Sequence, residues 1–246
     1  MSRKKELNYF TSNWHRGIEW YKSHFMDTVP VRGEASPNYT SRVFNKGVAS
    51  RMNATVPDAK LIYIIRDPIK RILSQYVHLF AEGSDKRTIN EALQELDNDN
   101  AYVASSKYYM QLEEYLAYYP KHRILILTTE ELYADREETL TKAFRFLGVS
   151  PSFKSAKFEQ LKHPSSEKRH LNTTGLWLMK FSEKHLNHYH PGAQRYLVRM
   201  LCYPFSRRVE APRLDKEIQL NLEQALREDV RKLREFSGNS FSDWSI

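Results

Sequence analysis

The sequence predicts an α/β protein of three layers built on a mostly parallel sheet. Apolar runs of strand length alternate with segments of helical period along the chain. The clearest run, Lys60 to Ile65, is apolar on both faces, as a central parallel strand is expected to be. Glycine is scarce, with 8 in 246 residues, and there is no internal repeat or low-complexity tract. The chain therefore reads as one domain over 1–246, long enough to bury a sizeable core.

The elements follow in order. Asn13 to Phe25 has helical character. Val29 to Glu34 reads as a short strand that ends in a polar turn, and Pro37 to Met52 as a helix. After the strand at 60–65, Pro68 to Phe80 places Ile69, Ile72, Leu73, Tyr76 and Phe80 on one helical stripe. Ser105 to Tyr119 repeats that pattern. Arg123 to Leu127 is a further buried strand. Asp135 to Leu147 has an acidic cap, Glu138 three residues on, and Gly148 as its stop. Residues 154–174 are polar around the basic sequence SSEKR. The remainder is helical, with Ile218, Leu222, Leu226 and Leu233 on one side of the last helix.

A net charge of +8 favours anionic partners: nucleotide phosphates, acidic glycans, nucleic acid or anionic lipid. Charge alone does not choose among them, and a solvated basic surface would show the same excess. One cysteine, Cys202, excludes an intramolecular disulfide. No apolar stretch reaches the length of a membrane span. The first residues, MSRKKELNYF, are basic without the apolar region of a signal peptide, so a cytoplasmic location is the expectation.

The strand at 60–65 runs directly into Arg66-Asp67-Pro68. Parallel sheets bind ligands beyond the carboxyl ends of their strands. Asp67 suits a helix cap and Pro68 a first helical turn. The free amides at that helix start favour an anion, and Arg66 adds a fixed charge with fork geometry. Ser74 lies about 10 Å further along the helix axis. On these residues alone, Arg66 paired with a carboxylate and Ser74 at an ordinary polar position is the plainer reading.

An apolar strand followed by R-D-P, Arg71, Ser74 and Tyr76 resembles the 3′-phosphate-binding segment of sulfotransferases that use 3′-phosphoadenosine 5′-phosphosulfate. Further stretches resemble the glycan-modifying branch of that family, which includes heparan sulfate sulfotransferases. They are GIEWYKSHF at 17–25, GEASPNYT at 33–40, YYMQLEEYLAYYP at 108–120, KAFRFLGVSP at 142–151 and LREFSGNSFSDW at 233–244. They occur in family order over nearly the whole chain. The resemblance implies a sulfotransferase fold, like that of the P-loop nucleoside triphosphatases. It implies sulfuryl transfer to a hydroxyl or amine of a glycan or small metabolite, with no required metal.

Residue by residue, the resemblance implies that Arg66 and Ser74 hold the 3′-phosphate of the donor. It implies that Glu34 is the general base, with Ala35 where many relatives carry lysine. Lys168 and Arg169 would contact the donor from a basic loop, with help from Ser165. Without the resemblance, Glu34 and SSEKR read as solvated loop residues. HLNHYH at 185–190 reads as a helix end rather than a metal site. The family's first strand and its glycine-rich phosphate-binding loop have no counterpart here, which implies an N-terminally truncated member. A non-catalytic remnant that binds nucleotide or acidic glycan is the main alternative. A nucleic-acid-binding module rests on charge alone and lacks a recognition motif, so no nucleic-acid partner is expected.

Overall fold

The computed structural model describes residues 1–159, 168–185 and 191–246. In chain order the elements are α1 (Gly17–Lys22), α2 (Val48–Thr55), β1 (Leu61–Ile65), α3 (Pro68–Ala81), α4 (Ile89–Ala92), α5 (Ala101–Ala104), α6 (Tyr108–Leu116), β2 (Ile124–Thr128), α7 (Thr129–Ala134), α8 (Arg136–Leu147), β3 (Arg169–Leu171), α9 (Thr173–His185), α10 (Pro191–Cys202), β4 (Ser206–Arg208) and α11 (Lys216–Ser237). They form two compact units, each assembled from separated segments. The first comprises Met1–Pro68, Leu96–Phe153 and Asn221–Ile246. The second comprises Ile69–Glu95 and Lys154–Leu220.

In the first unit β1 and β2 pair in parallel, from Leu61 opposite Ile124 to Ile65 opposite Thr128. Their β-branched and aliphatic sequences, LIYII and ILILT, suit a pleated surface. The core gathers Ile65, Leu112, Tyr115, Val230, Leu233 and Trp244. Strand β1 is not buried on both faces, as its composition suggested. Ile65 is 1% exposed, whereas Ile62 and Ile64 are 36% and 52% exposed. Side chains of a strand alternate, so Leu61, Tyr63 and Ile65 share the face packed on the core, and Ile62 and Ile64 share the open one.

Two other expectations are corrected. Residues 29–34 form no strand. A strand needs a ladder of backbone bonds, and among the described residues this segment receives one, from Ser2 N to the Gly33 carbonyl at 2.8 Å. The helix expected over 37–52 is two pieces, a 3₁₀ turn at Pro37–Thr40 and α2 from Val48. Gly47, at φ 73°, takes the left-handed conformation immediately before α2.

Helix α8 is as its sequence dictates. Asp135 accepts a bond from Glu138 N at 3.0 Å, and Gly148 closes the helix at φ 75°. On α11, Leu222, Leu226, Val230 and Leu233 are all buried. Asp229, on the same helix, accepts from Tyr109 N at 2.9 Å and Met110 N at 2.8 Å. These are first-turn amides of α6, which have no partner within their own helix. A carboxylate from a distant segment thus caps α6.

The second unit packs α3 through Ile69, Ile72, Tyr76 and Val77, with Ile89 and Leu93 also buried. Strands β3 and β4 pair antiparallel, Arg169 opposite Arg208. Gly175 permits a close approach there. A Cβ on it would lie 3.1 Å from the Phe205 carbonyl oxygen and from Leu171 Cδ2. No helix among the described residues is long and apolar enough to cross a membrane.

Burial pushes the Asp229 carboxyl up, against the lowering effect of the two amides it accepts. Its folded-state value therefore lies above its unfolded one. The stability it contributes is fully present at acid pH and is lost as pH rises through the raised value. Asp229→Asn keeps an acceptor oxygen and removes the titration. Thermal melts across the range above the ordinary value of 3.8 should show the variant gaining on the parent as pH rises. A constant difference between the two would refute this account of Asp229.

Candidate functional site

Strand β1 ends where Pro68, which has no N–H, opens α3. The turn between them is held by partners from three distant segments. Tyr108 Oη donates to the Arg66 carbonyl at 2.8 Å. Asp67 N donates to Glu130 Oε1 at 3.0 Å. Asp67 is fully buried, and its Oδ2 accepts from Ser245 N at 2.9 Å and Ser245 Oγ at 2.8 Å. The backbone at Arg66 is therefore fixed. Among the described residues, its side-chain Nε is buried and has no hydrogen-bond partner. A buried guanidinium N–H left unmatched is costly, and an anionic acceptor would satisfy it.

Glu34 lies in the same unit, at the end of the extended segment before Pro37–Thr40. Tyr39 Oη donates to its Oε1 at 2.7 Å, and Ser36 Oγ donates to its Oε2 at 3.1 Å. Burial first, then the hydrogen bond to Glu34 and its charge, push the Tyr39 phenol up. Burial and the Glu34 charge do the same to Tyr21, whose ring stacks on Tyr9 at 4.4 Å. Glu34 is thus an ordered carboxylate within an aromatic wall.

In the second unit Ser74 lies on α3, with His78 one turn on. Residues four apart share a helix face. Lys168 Nζ is 3.4 Å from His78 Nδ1, and that nitrogen is 3.3 Å from Glu82 Oε1. Lys168 is therefore brought to the Ser74 face of α3. Arg169 is placed differently. Its Nε donates to Ser206 Oγ at 2.7 Å, its Nη2 donates to the Ser206 carbonyl at 2.6 Å, and its guanidinium lies 4.4 Å from the Tyr203 ring centroid. It pins β3 to β4.

Ser165, and HLNHYH beyond His185, lie outside the described residues. Among the described residues no cluster of three His, Cys, Asp or Glu is arranged to hold a metal. Reading the sequence singled out Glu34 but not its partners Ser36 and Tyr39, although both stand in the same GEASPNYT stretch. It gave no signal for Tyr108 or Ser245, whose contacts with the turn span 42 and 178 positions.

A family model described as "Sulfotransferase domain" matches residues 2–192. The chain belongs to the sulfotransferase domain family. The chain is 28% identical over 165 residues to the human bifunctional heparan sulfate N-deacetylase/N-sulfotransferase 2, covering 60% of the chain and 18% of that protein. It is 44% identical over 78 residues to the membrane-associated sulfotransferase kil1 of Dictyostelium discoideum, covering 30% and 16%. It is 26% identical over 153 residues to the mouse heparan sulfate glucosamine 3-O-sulfotransferase 3B1, covering 58% and 38%. The chain thus spans well under half the length of these curated relatives. Among solved structures, a sulfotransferase from Alicyclobacillus acidocaldarius superposes with a TM-score of 0.55 at 24% identity. The match covers 79% of this chain and 87% of that one, and it supports the α/β sulfotransferase fold.

Ser245→Ala removes the hydroxyl that donates to the buried Asp67 carboxylate. A loss of about 1–2 kcal/mol in denaturant unfolding is expected. Unchanged stability would show that the Ser245 hydroxyl does not secure the turn.

Proposed function

We propose that this chain transfers a sulfuryl group from 3′-phosphoadenosine 5′-phosphosulfate to a hydroxyl or amine, with a glycan as the acceptor class. The observation that carries the reading is the buried Nε of Arg66, without a hydrogen-bond partner among the described residues, on a fixed turn at the start of a helix. That arrangement fits a phosphate oxygen, and we assign Arg66 to the 3′-phosphate. In the second unit, Ser74 and Lys168 are the proposed donor contacts. Arg169, committed to Ser206 and Tyr203, acts by holding the strand that follows Lys168. The glycan acceptor is supported by the names of the heparan sulfate relatives.

The donor supplies the sulfuryl group and a phosphate leaving group. In the proposed step an acceptor oxygen or nitrogen bonds to sulfur as the bond from sulfur to the 5′-phosphate oxygen breaks. The acceptor's proton passes to Glu34, and 3′-phosphoadenosine 5′-phosphate is released. As in phosphoryl transfer, positioning and charge stabilisation supply most of the rate, and a base on the acceptor is what the protein adds. Glu34, an acceptor-only carboxylate held by two hydroxyls, is suited to that role.

Arg66→Ala should weaken binding of 3′-phosphoadenosine 5′-phosphate by about 1.5–3 kcal/mol in calorimetry and leave AMP binding nearly unchanged. Equal losses for the two nucleotides would remove Arg66 from the 3′-phosphate. Glu34→Gln should leave nucleotide binding intact and lower single-turnover transfer by roughly 10²–10⁴-fold. A parent protein that binds the donor without any transfer would instead identify a binding remnant.

A further inference from the structure

The two hydroxyls on Glu34 are themselves oriented by backbone amides. Asn8 N donates to Ser36 Oγ at 3.0 Å, and Phe10 N donates to Tyr39 Oη at 3.4 Å. A hydroxyl carries a single proton. Each of these oxygens receives an amide hydrogen from one side and so turns its own hydrogen toward Glu34. Both arms end on carboxylate oxygens, one on Oε1 and one on Oε2. An ionised carboxylate accepts both.

We propose that Tyr39 is a positioning residue for the transfer reaction, holding the ionised Glu34 carboxylate in the orientation from which it takes the acceptor's proton. This rests on the assignment of Glu34 as the base. Tyr39 provides the shorter of the two arms, and its phenol stays protonated because burial and Glu34 both push it up. Its own placement is fixed from two further sides. The ring packs edge-on against Phe10 with centroids 5.4 Å apart, and the Tyr39 backbone carbonyl accepts from Tyr115 Oη at 2.7 Å. Neither contact uses the Tyr39 hydroxyl. Tyr39→Phe therefore keeps the packing and the backbone anchor while removing the proton aimed at Glu34. Ser36, buried and oriented by Asn8, is the second arm of the same device.

A positioning residue acts through the group it holds, which a double-mutant cycle detects. Single-turnover transfer and nucleotide affinity are measured on the parent, Tyr39→Phe, Glu34→Gln and the double variant. Tyr39→Phe should slow transfer by about 10–100-fold, the worth of one charge-assisted hydrogen bond, with nucleotide affinity unchanged. In the Glu34→Gln background the same substitution should cost nothing further. Losses that multiply, or an unchanged rate in Tyr39→Phe, would overturn the positioning role while Glu34 stays the base. An unchanged rate in Glu34→Gln would overturn the base assignment and the positioning role together. Absence of transfer in the parent would overturn the proposed function itself. If Tyr39→Phe does not fold, Ser36→Ala takes its place in the cycle, with the same outcomes deciding.

Discussion

The buried carboxylate of Asp67 is the constraint on which the first unit's site depends. A charge without solvent must be matched by hydrogen bonds, and its Oδ2 is matched by the amide and hydroxyl of Ser245. The Asp67 amide is meanwhile held by Glu130, and the carbonyl of the preceding residue by Tyr108. Segments from the middle and the end of the chain thus converge on one dipeptide. The stacked Phe241 and Trp244 rings, 4.3 Å apart, seat the closing segment in the core beside it. A turn held this way has little freedom left, so the backbone that carries Arg66 is held in place.

Local signals in the sequence were reliable where the structure they specify is local. The helix start at Pro68, the Asp135 cap and the Gly148 stop are each settled within a few residues, and each was legible. Helix α7 was equally local and went unread. Thr128 and Glu131 form a reciprocal capping box, Thr128 N to Glu131 Oε2 at 2.8 Å and Glu131 N to Thr128 Oγ1 at 3.0 Å. That pairing is present in TTEE, but Thr128 also ends the apolar run of β2, so strand and cap overlap at one residue. What remained hidden depends on tertiary partners. Residues 29–34 have strand composition and no ladder. The open face of β1 is as apolar as its buried face, so composition could not tell them apart.

The site shows the same division. Glu34 was readable as a candidate, but the amides that orient its two hydroxyl partners come from elsewhere: Asn8 is 28 positions from Ser36 and Phe10 is 29 from Tyr39. Lys168 and Arg169 looked equivalent in sequence. Lys168 precedes β3, and Arg169 begins it and enters its register opposite Arg208. Successive residues at a strand point to opposite sides. One therefore reaches α3 and the other binds the neighbouring strand. Two adjacent cations have different partners because backbone geometry separates them, not because their chemistry differs.

In the proposed donor site, the fixed turn after β1 reads a 3′-phosphate through Arg66. The most direct measurement follows the Nε–H resonance of Arg66 by NMR in arginine-labelled protein as nucleotide is added. The account predicts a large shift and slowed solvent exchange with 3′-phosphoadenosine 5′-phosphate and little change with AMP. The same response to both nucleotides, or none to either, would contradict it.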